Sequence, residues 1–132
     1  MAIFTENSLV KLNTCHSDLQ KLCLEVVRNF PCVVVWGYRG REDQNKFCEK
    51  GTSTKVWPYS KHNQMPALAV DLVPLIKGKI IWEIRQCYFF AGYVLRVAEN
   101  LGIDVILGAD WNMDRDINDQ ILRDVCHFEL KG

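Results

Sequence analysis

The sequence has no apolar run approaching the ~18 residues a bilayer-spanning helix needs, so nothing in it reads as a transmembrane segment. It also lacks net charge. Sixteen basic side chains stand against 16 acidic ones, and composition therefore supplies no general attraction to nucleic acid or to an anionic membrane. Affinity for any partner has to come from a site. The opening residues, Met-Ala-Ile-Phe-Thr-Glu-Asn-Ser, have neither a basic start nor a sustained apolar stretch, which excludes a secretory signal of the usual pattern and leads to the expectation of a chain made and held in the cytoplasm. There is no internal repeat and no low-complexity linker. Cys-x-x-Cys is absent as well. The six cysteines (Cys15, Cys23, Cys32, Cys48, Cys87, Cys126) fall mostly inside apolar helix or strand patterns, so free, reduced and mostly buried thiols are expected. The 132 residues suffice for one domain with a real core, spanning 1–132, and leave no room for a second of ordinary size.

Periodicity lays out the elements. Leu19, Leu22, Cys23, Val26, Val27 and Phe30 recur at helical spacing, which predicts a helix from Ser17 to Phe30 capped by Ser17 or Asp18. His16, just before it, reads as a structural residue at a helix entrance. Val33 to Trp36 is a β-branched apolar run and predicts a buried strand that turns at Gly37-Tyr38-Arg39-Gly40. Residues 41–50 predict a short surface helix stopped at Gly51, and residues 52–59 a loop. Ala69 to Val73 reads as a strand with Asp71 on the face opposite Val70 and Leu72. Lys79 to Ile81 is either the return strand of a hairpin or the approach to a helix. Trp82 to Asn100 carries the longest apolar stripe and predicts the main core helix, closing at Gly102. Asp104 to Leu107 and Cys126 to Leu130 predict strands, the last with His127 and Glu129 on one face and Phe128 and Leu130 towards the core. The result is an α+β domain, with helices packed on a small antiparallel sheet.

The chemistry-bearing residues sit in two stretches. Ser60-Lys61-His62 and Ala69-Val70-Asp71 place a histidine and a carboxylate on either side of a short loop; Asp124-Val125-Cys126-His127-Phe128-Glu129 adds a second histidine with an acid three residues before it. Two imidazoles and one carboxylate are a common protein ligand set for catalytic zinc, the fourth position being left open. Between them, Asp110-Trp111-Asn112-Met113-Asp114-Arg115-Asp116 spaces acids and an amide at alternate positions, like the front half of an EF-hand calcium loop. Its sixth position has no Gly, and Ile121 stands where the bidentate Glu belongs, so the ordered-turn reading is set beside a Ca²⁺ site.

The order of these words, with Gly37-Tyr38-Arg39, Asp43-Gln44, Gly108-Ala109-Asp110-Trp111 and His127-Phe128-Glu129-Leu130, resembles the M15 zinc metallopeptidases over nearly the whole chain. More narrowly it resembles their phage-lysin branch, the L-alanyl-D-glutamate and D-alanyl-D-alanine peptidases. The resemblance implies a hedgehog/DD-peptidase-like fold and hydrolysis of peptidoglycan stem peptides, with access to the wall by some other route of release. It implies His62, Asp71 and His127 as Zn²⁺ ligands and Asp124 as general base. It further implies Arg39 as a substrate-carboxylate ligand, with Gln44 as a further substrate contact. From its own place in the sequence Ser60 is expected to hydrogen-bond near the metal or the substrate, and Glu129 to orient a ligand imidazole. A peptidoglycan peptide is the expected partner and a monomer the expected state. Alternatives stay open: a D-alanyl-D-alanine carboxypeptidase or dipeptidase, or a non-catalytic zinc-stabilised wall-binding module, since the related hedgehog-like fold can keep its metal without evident peptidase work. The sequence departs from the family pattern in the longer loop between His62 and Asp71, where Met65-Pro66 replaces a common Gly, and at Val125-Cys126 before the second histidine. The Cys126 thiol is expected to point away from His127.

Overall fold

The computed structural model describes residues 2–51, 53, 55–119 and 124–132. In order it contains α1 (Glu6–Leu12), α2 (Ser17–Asn29), β1 (Cys32–Trp36), α3 (Arg41–Glu49), a 3₁₀ turn (Lys61–Asn63), β2 (Ala69–Ile76), β3 (Lys79–Ile80), α4 (Ile84–Leu101), β4 (Val105–Gly108), a second 3₁₀ turn (Ile117–Asp119) and β5 (Asp124–Leu130). The sheet runs β1-β2-β5-β4, with β3 added to β2, and its neighbours are antiparallel. This is the α+β architecture that the periodicity predicts.

Alternation on the two central strands divides the sheet into a core face and a site face. Val70 and Leu72 of β2 and Phe128 of β5 are fully buried against α2 and α4, whose apolar stripes supply Leu19, Leu22, Val26, Phe90 and Val94. Fully burying one such side chain contributes about 1.5–3 kcal/mol, so this layer fixes the pitch of both strands. Their odd-numbered residues then have to face the other way. The register pairs Asp71 with His127 and Ala69 with Glu129, which sets an acid and an imidazole side by side as cross-strand neighbours.

Several ends and turns differ from the sequence-based expectation for local reasons. The cap of α2 is His16, not Ser17 or Asp18: its Nδ1 accepts from the Asp18 amide at 3.0 Å. Residues 79–80 form the return strand of a hairpin, one of the two readings expected there, joined to β2 through Lys77 (φ 51°) and Gly78 (φ 77°); two central residues in the left-handed region match the right-handed twist of the strands. Helix α1 is not evident in the apolar pattern. It is capped by Thr5, whose side chain accepts from the Ser8 amide, and it docks through Ser8 Oγ, which accepts from Val34 N–H at 3.1 Å.

A candidate metal centre in the site cleft

Four segments meet on the site face. His62 comes from the first 3₁₀ turn, Asp71 from β2, His127 from β5, and Arg39 from the turn after β1. A cleft of about 510 Å³ opens there, bordered by Trp36, Arg39, Phe47, Lys55, Ser60, Lys61, Trp82, Trp111, Asp124 and Glu129 together with the two histidines and Asp71.

The loop to His62 is built from the inside. Ser60 caps the turn, its Oγ accepting from His62 N–H at 3.2 Å, while Asn63 Oδ1 accepts from the Ser60 amide at 3.0 Å. This reciprocal capping satisfies two backbone donors at once. Ala67, in the loop between His62 and Asp71, is bonded in both directions to the α1–α2 junction: its amide donates to Thr14 and its carbonyl accepts from His16. The loop between the two donors is thus tied to the helices behind it.

The donor atoms form a nearly regular triangle. His62 Nε2 lies 3.2 Å from Asp71 Oδ1 and 3.2 Å from His127 Nδ1, and His127 Nδ1 lies 3.3 Å from Asp71 Oδ1. Tetrahedral bonds of about 2.0–2.1 Å place donors about 3.3–3.4 Å apart, so the triangle has the size of one face of a zinc tetrahedron. Its protonation is decided from outside. His62 Nδ1 is 2.8 Å from the Gly37 carbonyl, which can only accept, so the imidazole proton is on that nitrogen. His127 Nε2 is 2.8 Å from Glu129 Oε1 and carries its proton for the same reason. Each neutral imidazole therefore turns its unprotonated nitrogen inward, towards a carboxylate oxygen. Three such donors repel one another unless a cation sits among them. Carboxylates and carbonyls in this outer position hold ligand tautomers in metal sites generally.

The electrostatics of the chain's own groups point the same way. Burial opposes the ionised form of Asp71, but the charges of His62 and His127 and their hydrogen bonds outweigh it and hold the carboxyl well below the usual carboxylate range. Burial likewise opposes charge on His127, yet hydrogen bonds to Asp71 and Glu129, and the charges behind them, push its pKa up to about 9. The pocket thus favours positive charge among these three groups. Among the described residues, His62, Asp71 and His127 are the group whose metal-binding atoms converge.

Asp124 starts β5 and borders the same cleft without joining the triangle. The residue keeps solvent access at the rim. Even so, the protein surrounding its carboxyl and then the Asp71 charge raise its pKa, against His127, His62 and Arg39. Gly108 makes this approach possible. A Cβ at Gly108 would fall within 3.0 Å of the Asp124 carbonyl oxygen and of both Cβ atoms of Asp124 and His127.

Arg39 and Gln44 are both held by partners inside the protein. Arg39 is 6% exposed, pairs through Nη2 with Asp71 Oδ2 at 3.3 Å, donates to Gln44 Oε1 at 3.2 Å, and lies 4.2 Å from the Phe47 ring and 4.9 Å from the Trp36 ring. It is positioned to hold Asp71 from behind. Gln44 is fully buried and does not border the cleft. Besides Arg39 it accepts from Asn63 Nδ2, and it donates to Ser53 Oγ and the Lys55 carbonyl. Cys126 stays outside the triangle, its Sγ 3.9 Å from Cys87 Sγ.

In the acidic loop, carboxylates cap backbone donors: Asp110 accepts from Arg115 N–H at 2.9 Å, Asp114 from Asp116 N–H at 2.8 Å, and Asp116 from Asn118 N–H at 2.9 Å. The described part is an ordered acidic turn, and Ile121, which bears on the calcium reading, lies outside the described residues.

The sequence reading did not single out Lys61, the Gly37 carbonyl or Trp111. Lys61 Nζ pairs with Glu129 Oε2 at 3.2 Å, completing a Lys61–Glu129–His127 chain. The Trp111 ring lies 5.6 Å from the His127 ring and walls the cleft. Only the alternation on β5, which puts His127 and Glu129 on one face, hinted at any of this.

With this geometry in hand, comparison with known proteins is decisive. The family described as phage L-alanyl-D-glutamate peptidase matches residues 1–131. The chain belongs to that family. A curated L-alanyl-D-glutamate peptidase of Escherichia phage T5 is 32% identical over 133 residues, covering 96% of each chain. The crystal structure of the Serratia marcescens L-Ala D-Glu endopeptidase ChiX superposes with a TM-score of 0.79 at 28% identity, covering 98% of this chain and 91% of that one. For a member of the phage L-alanyl-D-glutamate peptidase family, the donor triangle and the acid beside it are the part of the molecule suited to hydrolysing an amide.

Proposed function

We propose that the chain is a zinc-dependent endopeptidase that hydrolyses the L-alanyl-D-glutamate bond in stem peptides of bacterial peptidoglycan, reaching the wall after release from the host cell. The observation that carries the reading is the triangle of two inward imidazole nitrogens and a carboxylate oxygen with edges of 3.2–3.3 Å. A two-nitrogen, one-oxygen set with an open position suits zinc in its catalytic form. His62, Asp71 and His127 would hold it, and when bound it supplies Lewis-acid charge at the scissile carbonyl and acidifies the attacking water.

The rest of the chemistry falls to the chain's own residues. Asp124 takes the proton of the attacking water on its carboxylate and returns it to the departing amine; a raised pKa makes that return easier. Arg39 and the Lys61–Glu129 pair keep Asp71 and His127 in place. Ser60 acts on His62 through the turn cap, and Gln44 acts through Arg39 and the Lys55 loop. Trp36, Phe47 and Trp111 give the cleft apolar walls that exclude water from around the bond.

Two observations weigh against the alternatives. The matching family and both similar proteins are described by the L-alanyl-D-glutamate bond and not by a terminal D-alanine, which weighs against a carboxypeptidase. A purely structural metal site has no use for an unliganded acid at its edge, which is the position of Asp124. No described helix is long and apolar enough to cross a membrane.

The test is mass spectrometry of fragments released from purified peptidoglycan, with chelator, without it, and after zinc is restored. New glutamate amino termini that vanish with chelator and return with zinc are expected. Cleavage at D-alanyl-D-alanine instead, or full cleavage by metal-free protein, would remove the proposal.

A further inference from the structure

Among the described residues three cations, Arg39, Lys55 and Lys61, border the cleft, and two of them are already committed. Arg39 is bound to Asp71 and Gln44, and the one guanidinium nitrogen without a partner, Nε, is enclosed. Lys61 is bound to Glu129 and to the Leu130 carbonyl. Lys55 is exposed at the cleft, and among the described residues no ion pair engages it.

The backbone that carries Lys55 is nevertheless fixed. Its carbonyl accepts from Gln44 Nε2, from Cys48 Sγ at 2.8 Å and from Ser53 Oγ at 3.3 Å, and its amide donates to Ser53 Oγ at 3.2 Å. Gln44 is the same buried amide that accepts from Arg39. The loop presenting the free ammonium is thus tied to the network that holds Asp71, and its placement relative to the metal centre is set by a buried side chain.

The substrate class supplies the complement. In an L-alanyl-D-glutamate bond the glutamate nitrogen belongs to the scissile amide. The residue has two carboxyl groups and continues the chain through one, so the other remains as an anion a few bonds from the point of cleavage. We propose that Lys55 is the receptor for this free glutamate carboxylate and so the residue that reads the leaving side of the bond, an inference that rests on the endopeptidase reading above. Arg39 would have to abandon Asp71 to do the same work.

Two synthetic stem peptides, identical except that the free glutamate carboxylate is a carboxamide in one, test this. kcat/KM is measured on both for the parent, Lys55→Met and Lys55→Arg. Each preference is a ratio on one protein sample, so differences in folded fraction cancel. The parent should favour the carboxylate by about tenfold, as a charge-assisted contact discounted for solvent exposure would give, and rising salt should shrink the preference. In Lys55→Met the ratio should fall to within about twofold of unity, mainly through KM, and Lys55→Arg should restore it. A Lys55→Met enzyme that keeps the parent's ratio, or a parent with no preference, overturns the assignment of Lys55 while leaving the endopeptidase intact. A parent that cleaves neither peptide overturns the endopeptidase reading itself.

Discussion

Glu129→Gln probes the outer support of the metal centre with the least disturbance of packing. The amide has the shape of the acid, and Glu129 is 8% exposed, so the side chain stays where it is. The charge that holds His127 Nε2–H at 2.8 Å disappears, and Lys61 loses its 3.2 Å partner. A hydrogen bond to a charged group contributes about 1.5–3 kcal/mol and a neutral one about 0.5–1.5 kcal/mol. The difference, about 1–1.5 kcal/mol, is roughly a tenfold loss of zinc affinity. Glu129→Ala also leaves the His127 N–H without a partner and should cost nearer a hundredfold, the upper end for outer-shell ligand supports. Zinc affinity is read by competition with a chromophoric chelator at fixed pH, and a thermal melt of the metal-free proteins checks the fold. If Glu129→Ala binds zinc within twofold of the parent, the tautomer of His127 is not set by Glu129, and the argument from proton-free donors loses one of its two supports.

Gly108→Ala should lower the melting temperature and weaken both zinc binding and cleavage, because the added Cβ overlaps Asp124 and His127; overpacking of this kind costs about 1–3 kcal/mol. A variant with unchanged stability and activity would show that β4 and β5 can separate freely there. In native protein a disulfide reagent should react quickly with Cys48 alone, since the other five thiols are buried and burial pushes Cys15 to about 11 and Cys32 to about 12. Six thiols should react after denaturation, fewer would reveal a disulfide, and loss of zinc from Cys126→Ala would place that sulfur among the ligands.

The elements that bury apolar stripes were readable from the sequence, because their periods are imposed by the core itself. Helices α2 and α4 and strands β1, β2, β4 and β5 all stand within a few residues of their predicted ends. Helix α1 escaped because its packing runs through Leu12 and the Ser8 hydroxyl, with too few apolar positions in seven residues to show a period. At the site, residue types and order indicated His62, Asp71, His127 and Asp124. The direction in which Arg39 reaches from its turn was not legible, since linear order does not say whether a guanidinium faces solvent or turns back on Asp71. Of the supports of the two imidazoles, Glu129 was indicated by the sequence, and the rest was hidden. One is a main-chain carbonyl, that of Gly37, where a Cβ would fall within 3.0 Å of Lys11, Thr14 and Cys15. The other depends on Lys61, whose partner is 68 positions away in the sequence, at Glu129.

Zinc content and cleavage rate, measured side by side on Asp124→Ala and His127→Ala, test the central claim most directly. His127→Ala removes one of three ligands, so zinc and activity should be lost together, with some loss of stability because metal binding is linked to folding. Asp124→Ala should keep about one zinc per chain and cleave about 10²–10⁴-fold more slowly, the loss that general-base removal brings. Parental cleavage by Asp124→Ala, or loss of its zinc, would contradict the assignment of three ligands and a separate base.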